Sequence, residues 1–412
     1  MRIAVVGGGV VGLSSALLLA RTGRAVTVFE PDVTLSAPSW NNAGHLATEQ
    51  VAPLASMASI RSVARRHFLR GGALDFPIGQ WRTWMPFAFR LAAAARPERF
   101  RAGSSALGAL LGAALPAWRR MTARLGDPSL LREEGHLILW ETPHSAAAGR
   151  RAWARADTGG ARLASCGAAD LALIRQLGEG VAVAGCARFE GTGAITDLTA
   201  LAQALRRAVA AAGGTFVVSR ASLGRSGDRV VVAGYDADAV LIAAGVSSGH
   251  LLRPLGLNVP IVAERGYHIR AAADRWPADA PPIVFEDRAM IVTRFRDVVQ
   301  ASSFVEVAAT DARPDPRKWK RLECHVRDLD LPIDAPFSRW MGARPTFPDY
   351  LPAIGRDAGI SNLFYAFGHQ HLGLTLAAVT AEAVAALIDG AVPAVDLSPF
   401  DLARFATRKA LP

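Results

Sequence analysis

Lysine is nearly missing from this chain. Among 46 basic residues in 412, only Lys318, Lys320 and Lys409 are lysines, and the rest are arginines. Cysteine is scarce too: Cys166, Cys186 and Cys324 are odd in number and widely spaced. That excludes a disulfide framework, a C-x-x-C pair and a cysteine zinc pattern, so no metal is expected. A reducing compartment, the cytoplasm, fits. No apolar run is expected to reach the ~18 residues that span a bilayer. The chain opens directly on a core-like strand, which leaves no room for a signal peptide. The net charge of +10 would suit nucleic acid or a membrane surface. No nucleic-acid motif accompanies it, so no nucleic-acid partner is expected. Abundant alanine beside the arginine also fits a GC-rich genome.

What is present begins at once. Arg2 to Val6 form a β-branched apolar run suited to a buried parallel strand. Gly7, Gly9 and Gly12 then make a G-x-G-x-x-G, with Val10 and Val11 between the last two. A helix follows, then a second strand from Ala25 to Phe29 that ends on Glu30. The first glycine suits a tight turn, the second a close pyrophosphate, the third helix–strand packing. The helix start offers N–H groups and a positive dipole end to phosphates. Glu30 stands where an acid can accept hydrogen bonds from a ribose. This pattern predicts a dinucleotide site without saying whether NAD or FAD fills it.

Farther on, residues 51–105 read as irregular helix. Between 61 and 101, nine arginines face only Asp75 and Glu98, interleaved with Phe68, Phe76, Trp81, Trp84, Phe87, Phe89 and Phe100. An amphipathic segment of this composition suits a membrane surface, a protein partner or a basic solvated face. Ala106 to Leu125 predict a helix closed by Gly126, and 135–140 a strand. A helix is expected over 198–212, strands over 215–219 and 238–245, and a surface helix over 314–329.

Three stretches carry a family resemblance. Ser39, Asn41 and Asn42-Ala43-Gly44-His45 follow the nucleotide strand. Trp340 to Gly355 matches W-x-G-x-R-P-x-x-P-D-x-x-P-x-I-G at every fixed position. Gly368 to Thr375 form a glycine-rich turn into an apolar helix. Together with the N-terminal fingerprint, they resemble the D-amino-acid oxidase/dehydrogenase superfamily, and most of all its D-amino-acid dehydrogenase branch. The resemblance implies FAD, held without a covalent link because the covalent-histidine motif differs. It implies an α/β fold: a Rossmann-like FAD-binding domain with a parallel sheet, and an inserted α+β substrate domain on a mostly antiparallel sheet. The first takes residues 1–50, 186–260 and 341–412; the second takes 51–185 and 261–340. Ala221, Ala244 and Gly245 are then expected at the cofactor, with Gly368, His369, Leu372, Gly373, Leu374 and Thr375 at its pyrimidine end.

The implied reaction is oxidation of a D-amino or cyclic D-imino acid by hydride transfer from Cα to flavin N5. A carboxylate substrate calls for an arginine fork, and Arg344, inside the matched motif, is the first candidate; it also adjoins the cofactor. Tyr267, in an Arg-Gly-Tyr segment shared with the family, is the second. His45, His369 and His371 could orient an amine or a substrate hydroxyl. Residues 300–306 depart from the family's pattern on the last substrate strand. Sarcosine-type oxidases place a lysine over the flavin, and none occurs between 260 and 307. That favours electron transfer to a quinone or a protein, from the cytoplasm or the inner membrane face. The His-Gln-His-Leu-Gly-Leu-Thr turn favours cis-4-hydroxy-D-proline or D-proline. An oxygen-using glycine/sarcosine-type oxidase, a flavin subunit of a larger complex and a non-catalytic flavoprotein remain as alternatives.

Overall fold

Apolar β-branched residues set Arg2–Val6 at the centre of a six-stranded sheet. Its order is Thr215–Val217, Ala25–Phe29, Arg2–Val6, Ala239–Ile242, Leu363–Phe367, Ala353–Arg356. All neighbours are parallel except the last pair. The structure is a computed structural model that describes residues 1–405 apart from 179 and 182. Lys409 and the end of the expected cofactor domain lie outside the described residues.

Helices Val10–Ala20, Leu198–Ala211 and Gly373–Ile388 pack against this sheet around one apolar core. A stretch of 19 residues, Gln370–Ile388, is long and apolar enough to cross a bilayer, contrary to the sequence reading. It is 67 % buried inside the protein, where Leu374, Leu376, Ala377 and Val384 fill the core. Apolar character here reflects burial on several sides.

The helix expected from 106 begins earlier, at Pro97, and runs to Arg124. Leu107, Leu110, Leu111, Ala114, Trp118 and Met121 recur every three or four residues and are buried. They join the core of the six-stranded sheet. Trp118 Nε1 donates to the carbonyls of Leu374 (3.0 Å) and Thr375 (3.1 Å). So this helix, expected among the substrate elements, packs on the C-terminal helix instead.

The second large sheet has nine strands. Its path is Ser338–Thr346, Val262–Ala272, Val298–Val307, Met290–Arg294, Ile283–Phe285, His136–Trp140, Gly185–Glu190, Arg162–Ser165. Leu74–Asp75 pairs beside Val298–Val307. Most pairings are antiparallel. The boundaries expected at 186 and 341 both fall inside strands of this sheet. Hydrogen-bonded pairing holds those strands together whatever their apolar pattern suggests.

The arginine-rich segment forms helices Met57–Arg66 and Trp81–Ala94 with short turns between. Phe68 and Phe87 are buried, while Leu69 (71 %), Ile78 (85 %) and Phe89 (72 %) are exposed. The helix Pro316–Asp328 lies on the sheet and is not purely superficial: Lys318 on it is fully buried.

Candidate active site

The glycine turn leaves room only where side chains are missing. Gly7 has φ +115°, and a Cβ there would lie 2.5 Å from the Ala243 carbonyl oxygen. The strand end Ala243 to Gly245, Ala244 included, therefore presses directly on the turn. A Cβ on Gly12 would meet the Gly7 oxygen at 1.9 Å. Gly9 precedes the helix with no side chain to cap it. Ser39 Oγ accepts from the Val10 N–H at 3.1 Å. Glu30 accepts from the N–H groups of Gly8 (2.6 Å) and Asp32 (2.9 Å). Val10 and Val11 turn their side chains into the core, so only their backbone can serve a ligand. Ala221 packs at the apolar cluster that contains Phe29, just before Glu30. A bare turn, a helix whose N-cap Gly9 has no side chain, and an acid at the end of the neighbouring strand fit a dinucleotide.

Two loops continue the site. Asn42 Oδ1 accepts from the Gly44 N–H at 3.0 Å, and Asn41 Nδ2 donates to the Leu35 carbonyl at 3.0 Å. These bonds set the loop Asn41-Asn42-Ala43-Gly44 from within. Gln300 Nε2 donates to the Asn42 carbonyl at 3.0 Å. The residue that departs from the family pattern thus ties the second sheet to this loop. In the C-terminal turn, Gly368 has φ +80°, and a Cβ would strike Phe347 at 2.2 Å. The helix beginning at Gly373 has no side-chain cap at Leu372. Thr375 Oγ1 accepts from the Ala47 N–H at 3.0 Å, joining the two loops. Leu372 and Leu374 are core residues. The His369 ring turns away, with Nε2 3.1 Å from Thr380 Oγ1, and burial pushes its pKa down to about 3. Its side chain is not available to a cofactor.

The paired strands Val262–Ala272 and Ser338–Thr346 carry the expected substrate residues Tyr267 and Arg344 on opposite faces. Arg344 pairs opposite Glu264 and lies over Gly266, where a Cβ would meet its Nη2 at 2.2 Å. Arg344 Nη1 donates to the Phe304 carbonyl at 3.0 Å. Among the described residues no carboxylate oxygen comes within 4.0 Å of it. Burial lowers its pKa against the pull of Glu264. The Glu264 carboxyl is raised by burial, although Tyr350 and Arg344 oppose the shift.

Tyr267 is a correction. It points to the other face, where its ring lies 5.2 Å from that of Trp319. Its hydroxyl accepts from Arg265 Nη2 (3.0 Å) and the Asp315 N–H (3.1 Å) and donates to Glu306. Side chains alternate along a strand, so Tyr267 cannot share the face of Gly266 and Arg344.

The histidines separate likewise. His371 Nε2 contacts Gln50 Oε1, and burial, then Arg344, push its pKa down to about 3. His45 Nε2 lies 3.4 Å from Glu49 Oε1. His136 arrives from the second sheet, its ring 4.5 Å from that of His45 and its Nδ1 3.0 Å from Thr192 Oγ1. Burial would raise the Glu49 carboxyl, but His45 and His136 outweigh it and hold it at about 2. Donor atoms of His45, Glu49 and His136 lie within 4.8 Å of one another. Glu49 already faces His45 and His136 already faces Thr192, so we describe a hydrogen-bonded cluster. Glu49, Gln50, His136 and Gln300 were missed in the sequence. The spacing of His45 and Glu49 was the one available signal.

Residues 2–387 match the model of the family described as DAO, FAD dependent oxidoreductase. A D-amino-acid oxidase of Bradyrhizobium diazoefficiens is 30 % identical over 98 % of each chain. A D-amino acid dehydrogenase of Cereibacter sphaeroides is 29 % identical over 100 % of this chain and 98 % of that one. In fold, the chain is similar to glycine oxidase from Geobacillus kaustophilus, with TM-score 0.71, 23 % identity and 98 % and 100 % coverage. It is equally similar to L-proline dehydrogenase from P. horikoshii, with TM-score 0.71, 16 % identity and 98 % and 97 % coverage. The chain therefore belongs to the DAO family of FAD-dependent oxidoreductases.

Proposed function

We propose that this protein is a dehydrogenase of D-amino or cyclic D-imino acids, with cis-4-hydroxy-D-proline or D-proline as the favoured substrates. The observation that carries this reading is Arg344. It is a half-buried cation over Gly266, near His371, with no carboxylate within 4.0 Å among the described residues. A half-buried guanidinium without a carboxylate partner favours an incoming carboxylate, which it can hold with two parallel hydrogen bonds. Bound FAD supplies the hydride acceptor. The chain's part is to fix the carboxylate, turn Cα–H to the cofactor and keep water out. His45 and His371 can hydrogen-bond an amine or a ring hydroxyl. The names of the two curated relatives support a D-amino acid as donor.

A quinone or protein acceptor is favoured by the placement of lysine. Lys318 is buried in an ion cluster beneath Tyr267, on the face away from Arg344. The exposed Leu69, Ile78 and Phe89 among arginines support docking at an anionic membrane. Flotation with anionic vesicles checks this; equal recovery with neutral vesicles counts against it.

The deciding experiment is anaerobic bleaching of the bound flavin with paired D- and L-amino acids, including proline and 4-hydroxyproline isomers. Reduction by glycine or sarcosine alone would replace this reading with a secondary-amine oxidase. Release of all flavin on denaturation is expected, since no covalent link is proposed.

A further inference from the structure

We infer that Glu49 and His45 form a carboxylate–imidazole pair that takes the proton a substrate ammonium must lose before its α-hydrogen leaves as hydride. The inference rests on the amine-oxidising reading above. Hydride loss from Cα needs the nitrogen lone pair, and an amino acid enters from water with that lone pair protonated. The site must therefore either select the small unprotonated fraction or hold a base, and a base lets it use the abundant protonated form.

His45 is built for that task. One ring nitrogen, Nε2, faces Glu49 Oε1 at 3.4 Å; the other, Nδ1, is buried without a hydrogen-bond partner. Glu49 is 3 % exposed, and its second oxygen, Oε2, is also buried without a partner. A buried carboxylate facing one edge of an imidazole fixes the tautomer and stabilises positive charge arriving on the ring. In the step, the substrate N–H bond breaks and a proton joins His45 Nδ1. Nε2–H remains directed at Glu49, and no electrons change hands. His45 touches the substrate in this scheme, and Glu49 positions it.

The surrounding groups fit a proton acceptor. Arg344 and His371 approach from the C-terminal segments, and Arg188 acts on His136 from the second sheet. Gln50 is committed to His371 and Thr192 to His136. Burial pushes both His136 and His371 down to about 3, so neither competes for the proton near neutral pH. Glu49 is the one carboxylate paired to a ring of this group among the described residues.

The test compares the wild-type holoprotein with Glu49→Gln and His45→Gln, each first shown to retain FAD by its absorbance. Rates of anaerobic flavin reduction are measured from pH 5 to 10 with the best substrate. For Glu49→Gln the acidic limb should move to lower pH by about one unit, and the limiting rate should fall several-fold, because the base is weaker. Substrate affinity at high pH, set by Arg344, should change less than about twofold. For His45→Gln the limb should shift to the substrate amine's own ionisation. Unchanged profiles in both variants would overturn the inference. A second readout needs no turnover: the ring-nitrogen signals of labelled His45 should show Nε2 protonated in wild type and a changed tautomer balance in Glu49→Gln. An unchanged tautomer would overturn the pair even if no amine reduced the flavin, an outcome that would separately defeat the amine-oxidising reading. A stoichiometric transition metal retained by wild type and lost from Glu49→Gln would likewise overturn it.

Discussion

One strand, Val262–Ala272, separates a buried set of charges from a half-buried set that behaves oppositely. Beneath it, Arg265 Nη2 lies 3.1 Å from Glu306, and Lys318 Nζ lies 2.6 Å from Asp75 and 3.3 Å from Asp315. Arg265 also donates to the Arg313 carbonyl, and Tyr267 bridges Arg265 and Glu306. Asp315 would be raised by burial, but Arg317 and Lys318 hold it well below the usual carboxylate range. Above the strand, Arg344 and Arg270 make no such pairs among the described residues. Arg270 donates to neutral Gln300 at 2.6 Å, and burial lowers the pKa of both arginines. A closed set of charges is a structural device. An open cationic set is a place where an anion completes the structure. The contrast also explains why Tyr267, though inside a shared segment, belongs to the scaffold.

The largest expected effect lies under the strand. Lys318→Met would leave Asp75, Glu306 and Asp315 short of one cation. Breaking one partner from a buried cluster costs about 3–5 kcal/mol. Urea unfolding of the holoprotein should show that loss, while flavin reduction per folded molecule stays within about twofold. A loss under ~1 kcal/mol would mean that the lower set is as open as the upper, which the contrast forbids. Above the strand the balance should invert. Arg344→Gln removes a desolvated cation and should leave unfolding free energy within about 1 kcal/mol of wild type. Reduction by the best amino acid should fall at least about a hundredfold, equivalent to ~3 kcal/mol of charge-assisted hydrogen bonding. Unchanged reduction would remove Arg344 from the site.

The glycine turns were legible because their geometry is local. Gly7, Gly12 and Gly368 sit where backbone approach or positive φ forbids a Cβ, and such positions mark themselves as glycine in any sequence. Strands and helices read well where burial gave clean periods, as in Arg2–Val6 and Leu198–Ala211. Illegible features depended on which elements meet. Nothing near Trp118 announces that it will hydrogen-bond the carbonyls of Leu374 and Thr375. His136 meets His45 only because the strand His136–Trp140 reaches that corner. The facing of Tyr267 could not be read either, since alternation says which residues share a face but not which face meets the site. Lys318 looked superficial because a helix of high polarity usually is; here three carboxylates draw it inward.

The smallest effect separates His369, in the C-terminal glycine turn, from the groups proposed to meet the substrate. His369 is 3 % exposed and bonded to Thr380, and burial alone pushes its pKa from the ordinary 6.5 to about 3. Between those values the unfolded chain binds a proton that the native protein refuses. Its contribution is therefore complete above pH 6.5 and is lost as the pH falls towards 3. The slope for one such group is about 1.4 kcal/mol per pH unit. His369→Gln can keep a hydrogen bond to Thr380 without the titration. Its unfolding free energy, followed by urea from pH 7 to 4.5, should fall less steeply than wild type by about that slope. The pH profile of flavin reduction should not move, because the ring faces the helix rather than the substrate. A shifted profile would put His369 among the groups above the strand, with Arg344.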